Sequence, residues 1–117
     1  MDKNLNIHTK GWGYENWIVN NGMYCGKLLV FNSGHKCSFH YHKIKHETFY
    51  LHKGKMELKY SIFDDIGTSV SIILNPGDKF EIPQLMRHQM IALEDSELFE
   101  FSTQHFEDDS YRIERGS

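Results

Sequence analysis

Turn-forming residues punctuate the chain about every ten positions, the spacing expected of consecutive short strands. They are Asn20-Asn21-Gly22, Asn32-Ser33-Gly34, Lys53-Gly54, Asp64-Asp65-Ile66-Gly67, Asn75-Pro76-Gly77 and Glu94-Asp95-Ser96. The runs between them alternate with a period of two, the pattern of half-buried strands. Met56, Leu58, Tyr60 and Ile62 share one face against Glu57, Lys59 and Ser61, and Val70, Ile72 and Leu74 alternate with serines across Val70–Ile72. Leu93, Leu98, Phe99 and Phe101 flank another turn. No segment longer than two turns has a clean helical period, and there is no repeat, linker or low-complexity tract. This punctuation predicts an all-β sandwich or barrel. At 117 residues the chain is one domain by length, spanning residues 1–117.

Composition excludes several classes. A net charge of -3 gives no basic field, so nucleic acid is not an expected partner. No apolar stretch approaches the ~18 residues of a membrane span. The opening Met-Asp-Lys-Asn-Leu-Asn lacks the apolar region of a secretory signal, so a cytoplasmic protein is expected. Cys25 and Cys37 make neither a disulfide framework nor a Cys-x-x-Cys pair and read as two buried thiols. Residues 107–117 are mostly charged and are expected at the surface.

Eight histidines, spread along the chain, are the oddity. On a strand, side chains two apart point the same way, so His40 and His42 present two imidazoles to one side, about 7 Å apart along the backbone. A following turn can return Glu47 beside them on an antiparallel neighbour. Glu47, Phe49 and Leu51 then share a face that grades from metal ligand into apolar core. In Gly77–His88, Phe80 and Ile82 are core candidates, the chain turns at Pro83, and His88 can supply a fourth ligand from across the barrel. Such an N3O set suits one divalent transition metal ion, whether Mn, Fe, Zn, Ni or Co. Six-coordination would leave two positions open for a small-molecule substrate.

The stretch from Gly34 to Gly54 resembles the first cupin motif, G-x5-H-x-H-x3,4-E-x6-G, at Gly34, His40, His42, Glu47 and Gly54. The second stretch resembles the second cupin motif, G-x5-P-x-G-x2-H-x3-N, at Gly77, Pro83 and His88. Leu85 stands where that motif has Gly, and Ala92 where it has Asn. Gly at the first of these usually supplies a conformation other residues resist. The resemblance implies a single-domain cupin, a jelly-roll barrel or double-stranded β-helix, with metal on His40, His42, Glu47 and His88.

Three further segments narrow the likeness. Lys10–Trp17 is similar to the Arg-Pro-Trp-Gly segment entering the cupin domain of mannose-6-phosphate isomerases of the bifunctional guanylyltransferase type. Tyr24–Phe31 takes the place of that domain's first barrel strand, and Glu107–Glu114 resembles its Glu-Asp-Asp-x-x-Arg-x-Glu tail. Nothing in these 117 residues resembles the nucleotidyltransferase half, so guanylyl transfer is not expected of them. The resemblance implies aldose–ketose isomerisation of a sugar or sugar phosphate, with the metal as Lewis acid and a nearby base moving a proton. Lys36, on the His40 and His42 side of its strand, is a candidate inward polar group, and Arg112 a candidate phosphate ligand. The residues name no base. A non-haem iron dioxygenase or metal-dependent lyase uses the same ligands, and a non-enzymatic sugar- or metal-binding module needs no base. Cys37, Phe39 and Tyr41 lie on the opposite strand face and should point out of the pocket, where a two-fold homodimer could cover them.

Overall fold

The structure, a computed structural model, describes residues 4–117. The first three residues, part of the stretch read for a signal segment, lie outside that range. Eleven strands run β1 (Ile7–Lys10), β2 (Gly13–Asn20), β3 (Cys25–Phe31), β4 (Phe39–Tyr41), β5 (Glu47–Lys53), β6 (Met56–Ser61), β7 (Val70–Leu74), β8 (Lys79–Ile82), β9 (Arg87–Ala92), β10 (Ser96–Ser102) and β11 (Tyr111–Glu114). A single 3-10 turn, Ile66–Thr68, joins β6 to β7. No helix among the described residues is long and apolar enough to cross a membrane.

The strands form two antiparallel sheets, ordered β1-β2-β3-β10-β5-β8 and β11-β4-β9-β6-β7. Sequence-distant strands pair at the centre of each: β10 lies between β3 and β5, and β9 between β4 and β6. That crossing over is the jelly-roll solution to burying one face of every strand.

The inner faces grade from apolar to polar. Leu29, Phe31, Leu51, Met56, Leu58, Leu74, Met90 and Leu98 fill the core between the sheets. Each such side chain contributes about 1.5–3 kcal/mol by leaving water. Towards the other end, on the same inward parity, Leu29 gives way to Lys27, Phe49 to Glu47 and Leu98 to Glu100, all buried. Phe80 and Ile82 join the core as expected. Ala92 is buried in it too, where an asparagine side chain would need polar partners.

Three expectations are corrected. β6 ends at Ser61, so Ile62 leaves the Met56–Tyr60 face and is exposed. Cys37 does not share the outward face of Phe39: it packs against the core, and its Sγ accepts the Met90 N–H. Before β4 the chain makes only one isolated bridge, Lys36 to Ile91, and the alternation resets there. Phe39 is 0% exposed, and Tyr41 is covered within the chain by the Arg87 guanidinium at 3.9 Å and by the Tyr111 ring at 5.1 Å. The aromatic face read as a dimer surface is therefore already occupied. The charged tail is mostly exposed, as expected, but it is anchored: β11 pairs with β4, and the Ser117 N–H donates to the Lys36 carbonyl.

Candidate metal centre

His40 and His88 are direct partners across β4 and β9, and His42 follows β4 by one residue. The three imidazoles offer nitrogens that all lie within 4.8 Å of one another. Each ring is aimed by a backbone carbonyl. Nδ1 of His40 lies 2.8 Å from the Ser38 carbonyl, Nδ1 of His42 2.6 Å from that of Asp109, and Nδ1 of His88 3.0 Å from that of Met86. A carbonyl only accepts, so Nδ1 carries the proton and the Nε2 lone pair is left for a cation. Burial first, then the neighbouring imidazoles, holds His40 well below its ordinary value. Burial, opposed by Glu47, lowers His42 to about 4. Both rings are therefore neutral at physiological pH, the state a ligand needs.

Glu47 closes the set from β5. Its carboxylate oxygens lie 3.5 Å from Nε2 of His42 and 3.4 Å from Nε2 of His88. Burial alone would raise Glu47, but Lys45 and the facing imidazoles outweigh it and hold the carboxyl well below its usual range. Oε2 of Glu47 and Nε2 of His88 are buried with no hydrogen-bond partner among the described residues. Both are acceptors: the Lys45 ammonium lies 3.2 Å from Oε2 of Glu47, and nothing among the described residues meets the His88 lone pair. Such facing acceptors are costly unless something satisfies both at once. A divalent ion does so, and the residues present fit one.

The loops holding this centre are tied together. Asp109 accepts N–H bonds from Lys43, Ile44 and Lys45, and its own carbonyl aims His42. Leu85 takes the left-handed conformation, φ 70°, and donates its N–H to the His42 carbonyl at 2.8 Å. The glycine-type turn before His88 is thus made with leucine.

A cavity of about 680 Å³ opens above the centre, within the usual range for small-molecule sites. Arg112, opposite His40 on β11, lines it and makes no ion pair among the described residues. Lys36 does not line it: the side chain is exposed, because the reset before β4 turns it away. The sequence reading missed Lys27, Lys45, Glu100 and His105, which also line the cavity. Lys45, 3% exposed, lies 2.9 Å from Glu100, 3.2 Å from Glu47 and 3.1 Å from Nδ1 of His105. Burial pushes the Glu100 carboxyl up against the pull of Lys45. Strand parity held the missing signal: residues 45, 47, 49 and 51 alternate inward, as do 98 and 100.

No protein-family model matches the sequence, and no curated protein matches it either. Solved structures do match. Capsular polysaccharide assembling protein CapF from Staphylococcus aureus is 16% identical over 95% of this chain and 34% of its own, with TM-score 0.81. KdgF from Halomonas sp. is 19% identical over 90% of this chain and 91% of its own, with TM-score 0.75. A variant oxalate decarboxylase from Bacillus subtilis is 19% identical over 92% of this chain and 30% of its own, with TM-score 0.79. The chain thus spans about a third of the CapF and oxalate decarboxylase chains. With the crossed strand order and the histidine cluster at the mouth of the barrel, these likenesses identify the fold of this chain as that of the cupins.

Proposed function

We propose that the chain is a metal-dependent enzyme that moves a proton on a sugar or sugar phosphate, in the manner of an aldose–ketose isomerase. One observation carries the reading: three carbonyl-aimed imidazoles and the buried Glu47 carboxylate converge beside a buried Lys45–Glu100 pair in one cavity. His40, His42, His88 and Glu47 would hold the ion, which when bound supplies Lewis-acid polarisation of neighbouring substrate oxygens. Glu100, raised by burial, is the candidate base that takes a proton from one carbon and returns it to the next. Lys45 donates a hydrogen bond to Glu100 and so positions it. Arg112 at the mouth would take an anionic group bidentately. This acid–base equipment speaks against a purely binding module. Iron oxygenase chemistry would use the same ligands but has no need of a buried base, whereas a lyase would use the base as well and differs in losing part of its substrate.

The test begins with elemental analysis of protein purified without added metal. One equivalent of a divalent ion is expected in the wild type and none in His42→Ala. The loaded protein is then incubated with aldose phosphates in D2O and followed by NMR. Deuterium incorporation at the carbon next to the carbonyl is expected, abolished in His42→Ala and reduced at least about a hundredfold in Glu100→Gln. Oxygen uptake by an iron-loaded sample, with no exchange, would replace isomerisation with oxygenase chemistry.

A further inference from the structure

We propose that two carboxylate–ammonium pairs, Glu15–Lys27 and Lys45–Glu100, form a hydroxyl-reading wall in the cavity that selects a polyhydroxylated small molecule. The inference rests on the proposed function only in placing the other end of that molecule at the metal centre. Lys27 is 2% exposed yet lines the cavity. Its ammonium stands 3.5 Å from Oε1 of Glu15 and 4.3 Å from the centre of the Trp17 ring. Neither contact has hydrogen-bond geometry, so its three N–H donors remain unmatched among the described residues. Glu15 accepts the Trp17 indole N–H on Oε1 at 2.8 Å and receives no bond on Oε2 among the described residues.

The second pair lies next to the first. Lys27 on β3 is the direct partner of Glu100 on β10, and Glu100 is held by Lys45 at 2.9 Å. Carboxylate, ammonium, carboxylate and ammonium therefore alternate along one wall. Burying two ion pairs for packing alone is unfavourable compared with apolar side chains of similar size. An anion is a poor occupant, since each ammonium already has a carboxylate beside it that would repel a second. A hydroxyl group suits both partners, accepting from the ammonium while donating to the carboxylate. Sites built this way reject analogues lacking the hydroxyl, because the buried polar groups are then left unmatched.

Two acids with the same metal-chelating end and the same carbon count test this: gluconate, with hydroxyls along its tail, and 2-hydroxyhexanoate, with none. Binding to protein loaded with one equivalent of Zn(II) is followed by calorimetry and by Trp17 fluorescence. Gluconate is expected to bind about tenfold or more tightly. Lys27→Met should erase that preference and leave zinc stoichiometry intact. Glu15→Gln/Lys27→Met, which leaves no lone buried charge, should do the same and guards against misfolding of the single variant. Equal affinity for the two acids, binding of neither, or a preference surviving in both variants would overturn the proposal. Failure to take up zinc would instead sink the metal centre, and gluconate preference in metal-free protein would then decide the wall alone.

Discussion

Leu85 occupies a backbone conformation that its own side chain opposes. At φ 70° the Cβ of an L-residue crowds the following carbonyl, at roughly 1–2 kcal/mol. The side chain is 51% exposed, so little burial offsets this. Replacing it with glycine removes the crowding but adds about 0.5–1 kcal/mol of unfolded-state entropy. Leu85→Gly should therefore stabilise by up to about 1 kcal/mol, a rise of a few degrees in Tm. Leu85→Ala keeps the Cβ and should gain nothing. A thermal melt of both variants decides it: equal melting temperatures would mean that the turn is not strained. The motif spacing marked this position, because a turn conformation is a local property that sequence distance preserves. At Gly54 the same logic is stronger, since an added Cβ would meet backbone of Asp95 and Ser96. The inward lysines were less visible. A lone charged residue on a strand resembles a solvated face, and only its parity with Glu47 or Leu98 shows otherwise.

Strand β10 illustrates why parity and hydrophobicity can disagree. Phe99 and Phe101 are its most apolar outer positions, yet Glu100 between them is buried and Phe101 is exposed. The apolar pattern alone would turn this strand inside out. Polar cavity wall, rather than core, is what its inner face meets beyond Leu98. The segment after β10 has a similar hidden role, since Asp109 looked like one more charge in an acidic tail. Its carboxylate gathers the backbone N–H groups of three successive residues entering β5, and its carbonyl holds His42. Burial would raise this carboxyl, but the N–H donors of Lys45, Lys43 and Ile44 win and keep it below its ordinary value. Asp109→Ala should cost on the order of 3 kcal/mol, since it strands backbone donors that water reaches poorly. It should also weaken metal binding by about 10–100-fold, the effect of losing an outer partner of a ligand. For Asp109→Asn the gap in stability to wild type carries a pH signature. A carboxyl lowered by folding contributes fully above its unfolded value near 4 and loses that contribution as pH falls through the lower folded value. Urea melts should show the gap wide at pH 7 and closing below about pH 4. A constant gap would mean that the charge is immaterial.

Across the whole molecule, the jelly roll places ionisable groups where water is scarce, and the consequence is a particular response to acid. Burial lowers His42 to about 4 and, with Lys45 and Lys27 nearby, lowers His105 to about 3. His40 is lowered as well. In the unfolded chain each would titrate near 6.5, so between about pH 6.5 and 4 the unfolded state binds more protons than the folded one. The metal-free protein should therefore be at full stability above pH 6.5 and lose stability steadily as pH falls through that window. His42 alone accounts for on the order of 3 kcal/mol of this loss. Metal binding should follow a different course. Three ordinary imidazoles surrender about a thousandfold in affinity between pH 7.5 and 5.5, because each must first shed a proton. Here His40 and His42 are already neutral in the folded state, so proton competition begins only near pH 4 at His42 and well below the ordinary imidazole value at His40. Chelator competition at pH 7.5, 6.5 and 5.5 should return dissociation constants for Zn(II) within about tenfold of one another, while the melting temperature of the metal-free protein drops over the same range. A fall in affinity of several hundredfold by pH 5.5 would show that these imidazoles are solvated and ordinary, and that burial does not prepare the site for its ion.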